Sequence, residues 1–190
     1  MLVAPLSAEA EAPTPWVGAS VGLHSGPDPL GQGPEGSVAA GLTLPWWDGR
    51  LMPGLSLGAW RSVAADDGES ASLEQPWRSL VQVVVARARL DLTARALPEG
   101  AIVNPELSVS PELRRQAVQA TVYAGDATLS DRATVEWGWG LRVGGGATMA
   151  VGPGRLGLQA GWTFARMQSG LTGDAATGGF DLSPFYRLEL

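Results

Sequence analysis

The chain has 190 residues and a net charge of −6, with no cysteine and with arginine supplying all 13 of its strongly basic residues. That length suits one domain of ordinary size; disulfides and thiolate metal sites are excluded, and no basic cluster offers a surface to nucleic acid. No apolar run approaches the ~18–20 residues of a membrane helix, so any crossing of a bilayer must be made by a closed barrel.

Met1–Ala10 begins with a short apolar piece and continues into Ala8-Glu9-Ala10, which has the form of a signal-cleavage site. The basic n-region is missing and the apolar part is short. A start site set too late would account for both. Residues 1–14 are expected to be a signal-peptide remnant or a disordered tail, leaving 15–190 as one domain.

Strand signals begin at Trp16–His24, where Val17, Ala19, Val21 and Leu23 alternate with Trp16, Gly18, Ser20, Gly22 and His24. Further strands are expected near 36–46, 50–61 and 78–95, the first two joined by the Asp-Gly turn Trp47-Asp48-Gly49-Arg50. A fifth is expected at 113–125. The sixth, 132–151, sets Val135, Trp137, Trp139, Leu141 and Val143 against Thr134, Glu136, Gly138, Gly140, Arg142 and Gly144. Gly152-Pro153-Gly154-Arg155 turns it into 155–167. There Leu156, Leu158, Ala160, Trp162 and Phe164 alternate with Gly157, Gln159, Gly161, Thr163 and Ala165. The last strand, 179–190, places Phe180, Leu182, Pro184, Tyr186, Leu188 and Leu190 on one face and Asp181, Ser183, Arg187 and Glu189 on the other.

Residues 96–112 strain this count of eight. The connection is long, and Ala101–Val109 alternates weakly, which would suit ten strands if the sixth split at Gly144-Gly145-Gly146. Apolar parity runs unbroken from Val143 to Ala147, which favours one long strand and eight in all. The remaining connections, 25–35, 62–77, 126–131 and 168–178, are then loops at the far end from both termini.

Large apolar residues on one face and Gly, Ser, Thr and isolated charges on the other invert a soluble sheet, whose core face is bulky and whose water face is rich in Lys and Glu. A transmembrane barrel has this inverted pattern, apolar outward and small or polar inward. The fold expected is all-β, an antiparallel up-and-down transmembrane β-barrel. Trp46, Trp137, Trp139, Trp162, Phe164, Phe180 and Tyr186 take the outward parity as a membrane-facing belt, with Trp46 and Tyr186 marking the inner-end interface. Trp16, Trp60 and Tyr123 take the inward parity.

On these residues the chain resembles the small outer-membrane β-barrels of Gram-negative bacteria, of the OmpA and OmpX type. The resemblance covers 15–190 and is architectural. Its strongest element is the closing strand, whose Tyr186, Leu188 and Leu190 resemble the signal read by the barrel-insertion machinery, although this chain ends in Leu190 and not in Phe. The resemblance implies a place in the outer membrane of a Gram-negative bacterium. Its partners would be outer-membrane lipid, the insertion machinery and other envelope proteins; neither nucleic acid nor a cofactor is implied.

The inward parity carries Arg87, Arg89, Asp91, Arg115, Gln119, Glu136, Arg142, Gln159, Asp181, Arg187 and Glu189. Eight strands enclose only enough room for side chains, so these charges are expected to pair across the lumen and fill it. Strand four is the exception, because Val81, Val83 and Val85 share the parity of Arg87 and Arg89. Signals of catalysis are weak. The sole histidine, His24, stands at a strand end near Ser25 and Asp28, with Asp66, Asp67 and Ser70 in the second loop, and reads best as a solvated rim residue. The expected role is structural or interactive, as a non-enzymatic barrel and potential subunit of a larger envelope assembly. A soluble, lipocalin-like barrel holding an apolar ligand is the main alternative, a lipid-modifying enzyme a minor one. The lumen decides between the first two, charged for the membrane barrel and apolar for the lipocalin.

Overall fold

Alternation of the kind seen at Trp16–His24 recurs through most of the chain, and a computed structural model shows where it leads. The structure describes residues 12–26, 31–45, 49–68, 76–98, 101–169, 173–176 and 178–190. Strands β1 (Thr14–Ser25), β2 (Gln32–Thr43), β3 (Leu51–Gly68), β4 (Trp77–Arg95), β5 (Val103–Ala124), β6 (Ala127–Val151) and β7 (Gly154–Ser169) each pair antiparallel with the next. The last long strand, β9 (Gly179–Glu189), pairs with both β7 and β1 and closes the ring. Eight staves therefore make the barrel. The short β8 (Gly173–Ala176) only extends the outer end, paired with Arg166–Ser169 of β7.

Closure leaves no open edge inside the ring, as backbone in a bilayer requires. Two Gly turns make this possible at low strain: Gly125 and Gly152 adopt φ of 56° and 59°, in the left-handed region that only Gly enters freely. The glycine run 144–146 stays within β6, paired to both neighbours, so eight strands stand and ten do not.

Residues 96–112 are corrected by β5. The strand starts at Val103, so most of the expected connection is strand. Pro105 and Pro111 cannot donate to a ladder. Both lie on the outward face, and the alternation passes straight through them. β2 likewise starts at Gln32, inside the expected loop 25–35, which brings Glu35 into the barrel wall.

The wall is uneven in height. β3 pairs with β2 only up to Trp60 and with β4 as far as Gly68. β6 pairs with β7 only from Trp139, while β5 accompanies it from Ala127. Among the described residues, strands β3 to β6 thus extend as a four-stranded sheet past the paired parts of β1 and β2, by roughly 15–20 Å along Val63–Gly68 at ~3.3 Å per residue. This projection lies at the end away from the termini. Of the remnant or tail expected at residues 1–14, residues 1–11 lie outside the described residues and Thr14 already belongs to β1; Trp46, Trp47, Asp48, Asp28 and Ser70 also lie outside them.

Candidate functional site

The outer wall is apolar. Val21, Leu23, Leu55, Leu57, Leu107, Val135 and Leu158 are exposed, with Trp137, Trp139, Trp162, Phe164, Phe180 and Tyr186 among them. Trp139 is the extreme, 78 % exposed. The phenol of Tyr186 donates to the Val151 carbonyl at 3.3 Å, which puts its polar tip at the turn end of the belt. Leu190 is exposed on the same wall and Leu188 half-buried, with the Leu190 N–H bonded to the Pro15 carbonyl at 2.9 Å.

The lumen holds the charges, arranged in levels. At the termini end, Arg187 donates to both oxygens of Glu106 at 3.0 and 3.2 Å. Arg95 reaches Glu106 at 3.4 Å and Glu189 at 2.8 Å. The Arg187 guanidinium also lies over the Trp16 ring, 5.0 Å from its centroid, within cation–π range. At mid-height, Arg142 grips Asp181, and Ser110 donates to Asp91 at 2.5 Å. Above this, Glu112 receives Arg89 and Arg114, one on each oxygen, both at 2.9 Å. Arg87 pairs with Glu35.

The top level is apolar. Trp60, Val83, Val85 and Val118 form a buried cluster inside the wall. His24 stacks on Trp60 with ring centroids 4.3 Å apart, and its Nδ1 lies 3.6 Å from Glu35 Oε2. This corrects the reading of His24 as a solvated rim residue, because it is fully buried. Nothing brings it to Asp66 or Asp67, which lie exposed on the projecting arm of β3, Asp67 being 3.5 Å from Arg78.

The structure reverses the parity expected for β5. Arg115 and Gln119 are exposed on the outer side of β5, and Arg114 and Gln116 are buried inside. The apolar cluster explains the error. In the upper wall Val118 faces inward, so the rule that apolar residues face out assigns that stretch of β5 the wrong way. The valines of β4 carry the same inversion. Glu136 is half-buried on the inward parity of β6, level with Gln116, and Gln159 is half-buried beside a small polar void. Tyr123 is half-buried beside the register shift at Val122/Tyr123.

Glu35, Arg95, Glu106, Glu112 and Arg114 belong to the network and were not singled out by sequence. Glu106 and Glu112 were hidden in the supposed connection and Glu35 in the supposed loop. For Glu106 and Glu112 the signal was available as the alternation that runs from Val103 to Leu113.

An apolar exterior around an ion-paired interior defines a membrane-spanning β-barrel, and it removes the apolar lumen a lipocalin-like carrier needs. No protein-family model matches the chain, and no curated protein matches it. Among solved structures it is similar to a major outer membrane protein from Thermus thermophilus, at 15% identity and a TM-score of 0.53, over 95% of this chain and 100% of that one. It also aligns with Ail, the attachment invasion locus protein of Yersinia pestis, at 12% identity and a TM-score of 0.46, over 94% and 99% of the two chains. A third is the N-terminal β-barrel domain of Pseudomonas aeruginosa OprF, at 12% identity and a TM-score of 0.41, over 93% and 97%. The fold is that of the eight-stranded outer-membrane barrels.

Proposed function

We propose that this chain is a non-enzymatic outer-membrane barrel whose lumen is closed by its own ion pairs and whose projecting sheet is an interaction surface. One observation carries the reading: over Ala127–Gly138, β5 is the only strand paired with β6 among the described residues. An edge with free N–H and C=O groups is a template for an added strand from another protein. Most of Ala127–Val135 is exposed, which keeps that edge accessible. The lumen supports a closed plug. Its charged side chains pair across it at several levels, and the polar pocket among them is about 70 Å³. The buried His24, stacked and beside a carboxylate, supports a packing role over catalysis.

The experiment is photo-crosslinking in cells from Thr128 and Ser130 on the β6 edge, with Val21 on the opposite wall as control. Adducts with envelope or external proteins at the edge positions alone support the reading. Equal adducts at all three positions, or steady ion conductance of the purified barrel in planar bilayers, contradict it.

A further inference from the structure

We propose that the barrel wall carries, near its outer end, a discrete groove for one fatty-acyl chain of an outer-leaflet lipid. The proposal rests on the membrane reading above, because the groove opens onto the face which that reading gives to hydrocarbon. The recess is an open groove of about 650 Å³ along β6, β7 and β9, reaching the end of β1. Trp139, Leu141, Trp162, Phe164 and Phe180 line it, all exposed on the outward parity. Ser25, Gly26 and Thr163 supply its few polar groups. That size and that mixture, mainly apolar and aromatic with a few polar groups, are those of sites that hold small ligands, whose volumes run ~300–1,000 Å³.

The recess lies where the ladder on β7 is interrupted, between Thr163 opposite Gly179 and Arg166 opposite Ala176. Gly178 and Gly179 are buried and contribute no side chain. Neither position has room for one: a methyl at Gly178 would run into the Thr163 carbonyl, and one at Gly179 would meet the Ser25 carbonyl and lie 2.8 Å from His24 Nε2. Backbone packs on backbone at these two glycines, the Gly179 position facing the buried His24, and the groove outside them is lined by rings.

The occupant follows from continuity with the lipid-facing belt. Hydrocarbon is as apolar as the wall, so retention in a bilayer comes from shape and close contact rather than from exclusion of water. A flexible chain conforms to a concave recess between protruding indoles. The convex wall of a second barrel meets it at few points. The polar groups at Ser25 and Gly26 suit the ester end of a lipid.

The test uses the full chain in phosphatidylcholine vesicles containing a rising fraction of the same lipid with brominated acyl chains, which quench nearby indoles. Wild-type tryptophan emission is expected to show a saturating phase at low brominated fraction, above the proportional quenching due to bulk lipid. The double variant Phe164→Ala/Phe180→Ala, which removes two walls and keeps Trp139 and Trp162 as reporters, should weaken that phase about tenfold, equivalent to ~1.4 kcal/mol. Leu158→Ala, on the same belt outside the groove, should leave it unchanged. Purely proportional quenching in the wild type overturns the groove while leaving the membrane reading intact. No quenching at all overturns both. Crosslinked dimers through Trp139 or Phe164 that abolish the saturating phase assign the groove to a second copy and overturn the lipid.

Discussion

Arg142 on β6 reaches across β7 to Asp181 on β9: its Nη2 lies 2.6 Å from Oδ1, and its Nε donates to both carboxylate oxygens at 3.1 and 3.0 Å. The path is open because the lumen face beneath it carries no side chain. A methyl at Gly161 would lie 2.5 Å from Arg142 Cζ, and one at Gly144 2.6 Å from its Nη1. The small residues that share a parity with the charges are thus the space those charges occupy.

Asp181→Leu should destabilise the barrel by about 3–5 kcal/mol, because it strands a buried guanidinium. Arg142→Met/Asp181→Leu should recover most of that loss, since an apolar pair of similar volume needs no partner. Guanidinium unfolding followed by tryptophan fluorescence measures both. A double variant as unstable as the single one would show that the two residues are not coupled.

Gly161→Ala should cost about 1–3 kcal/mol by crowding the Arg142 guanidinium. Gly36→Ala, where the nearest atom to an added methyl is the Ser20 carbonyl at 3.8 Å, should stay within about 0.5 kcal/mol. The same unfolding assay ranks them, and equal costs would contradict the assigned course of Arg142.

Two adjacent arginines test the parity of β5. Arg114 is fully buried on Glu112, so Arg114→Leu should cost about 3 kcal/mol, at the low end for a broken buried pair because Glu112 keeps Arg89. Arg115 is exposed on the outer wall, and Arg115→Leu should change stability by no more than about 0.5 kcal/mol. The reverse order would return Arg115 to the lumen.

On the closing strand, Leu182 lies between the outer ring at Phe180 and the interfacial phenol of Tyr186. Leu182→Arg should cost about 2–4 kcal/mol in lipid vesicles, and Leu190→Arg, at the chain end, about 0–1 kcal/mol. Tyr186→Arg should fall between them. Folded fraction on refolding into vesicles reads the order, and a flat series would mean that this face does not meet hydrocarbon.

Most of the wall was legible because each stave writes the same rule, and residues such as Trp139, Arg142, Leu158 and Asp181 obey it individually. Failures came where a second physical demand overrode the rule. Glu106 and Glu112 fell in the connection expected at 96–112, where the alternation over Ala101–Val109 is weak, yet β5 runs from Val103 through Pro105 and Pro111 on the outward face. Glu35 sits in Gly33-Pro34-Glu35-Gly36, which has the composition of a turn and the structure of a strand. Val118 and the valines of β4 face an apolar plug, so hydrophobicity there points inward, and the rule that apolar residues face out places Arg115 inside where Arg114 lies. Pairings such as Arg95 with Glu189 depend on stagger around the ring, which period-2 alternation does not encode.

Fractionation of cells that produce the full chain, with gel migration compared before and after boiling, tests the membrane barrel most directly. The account predicts that the protein sediments with the outer membrane, resists alkaline extraction, and migrates faster unboiled than boiled. Recovery in the soluble fraction, with migration unchanged by boiling, would contradict it.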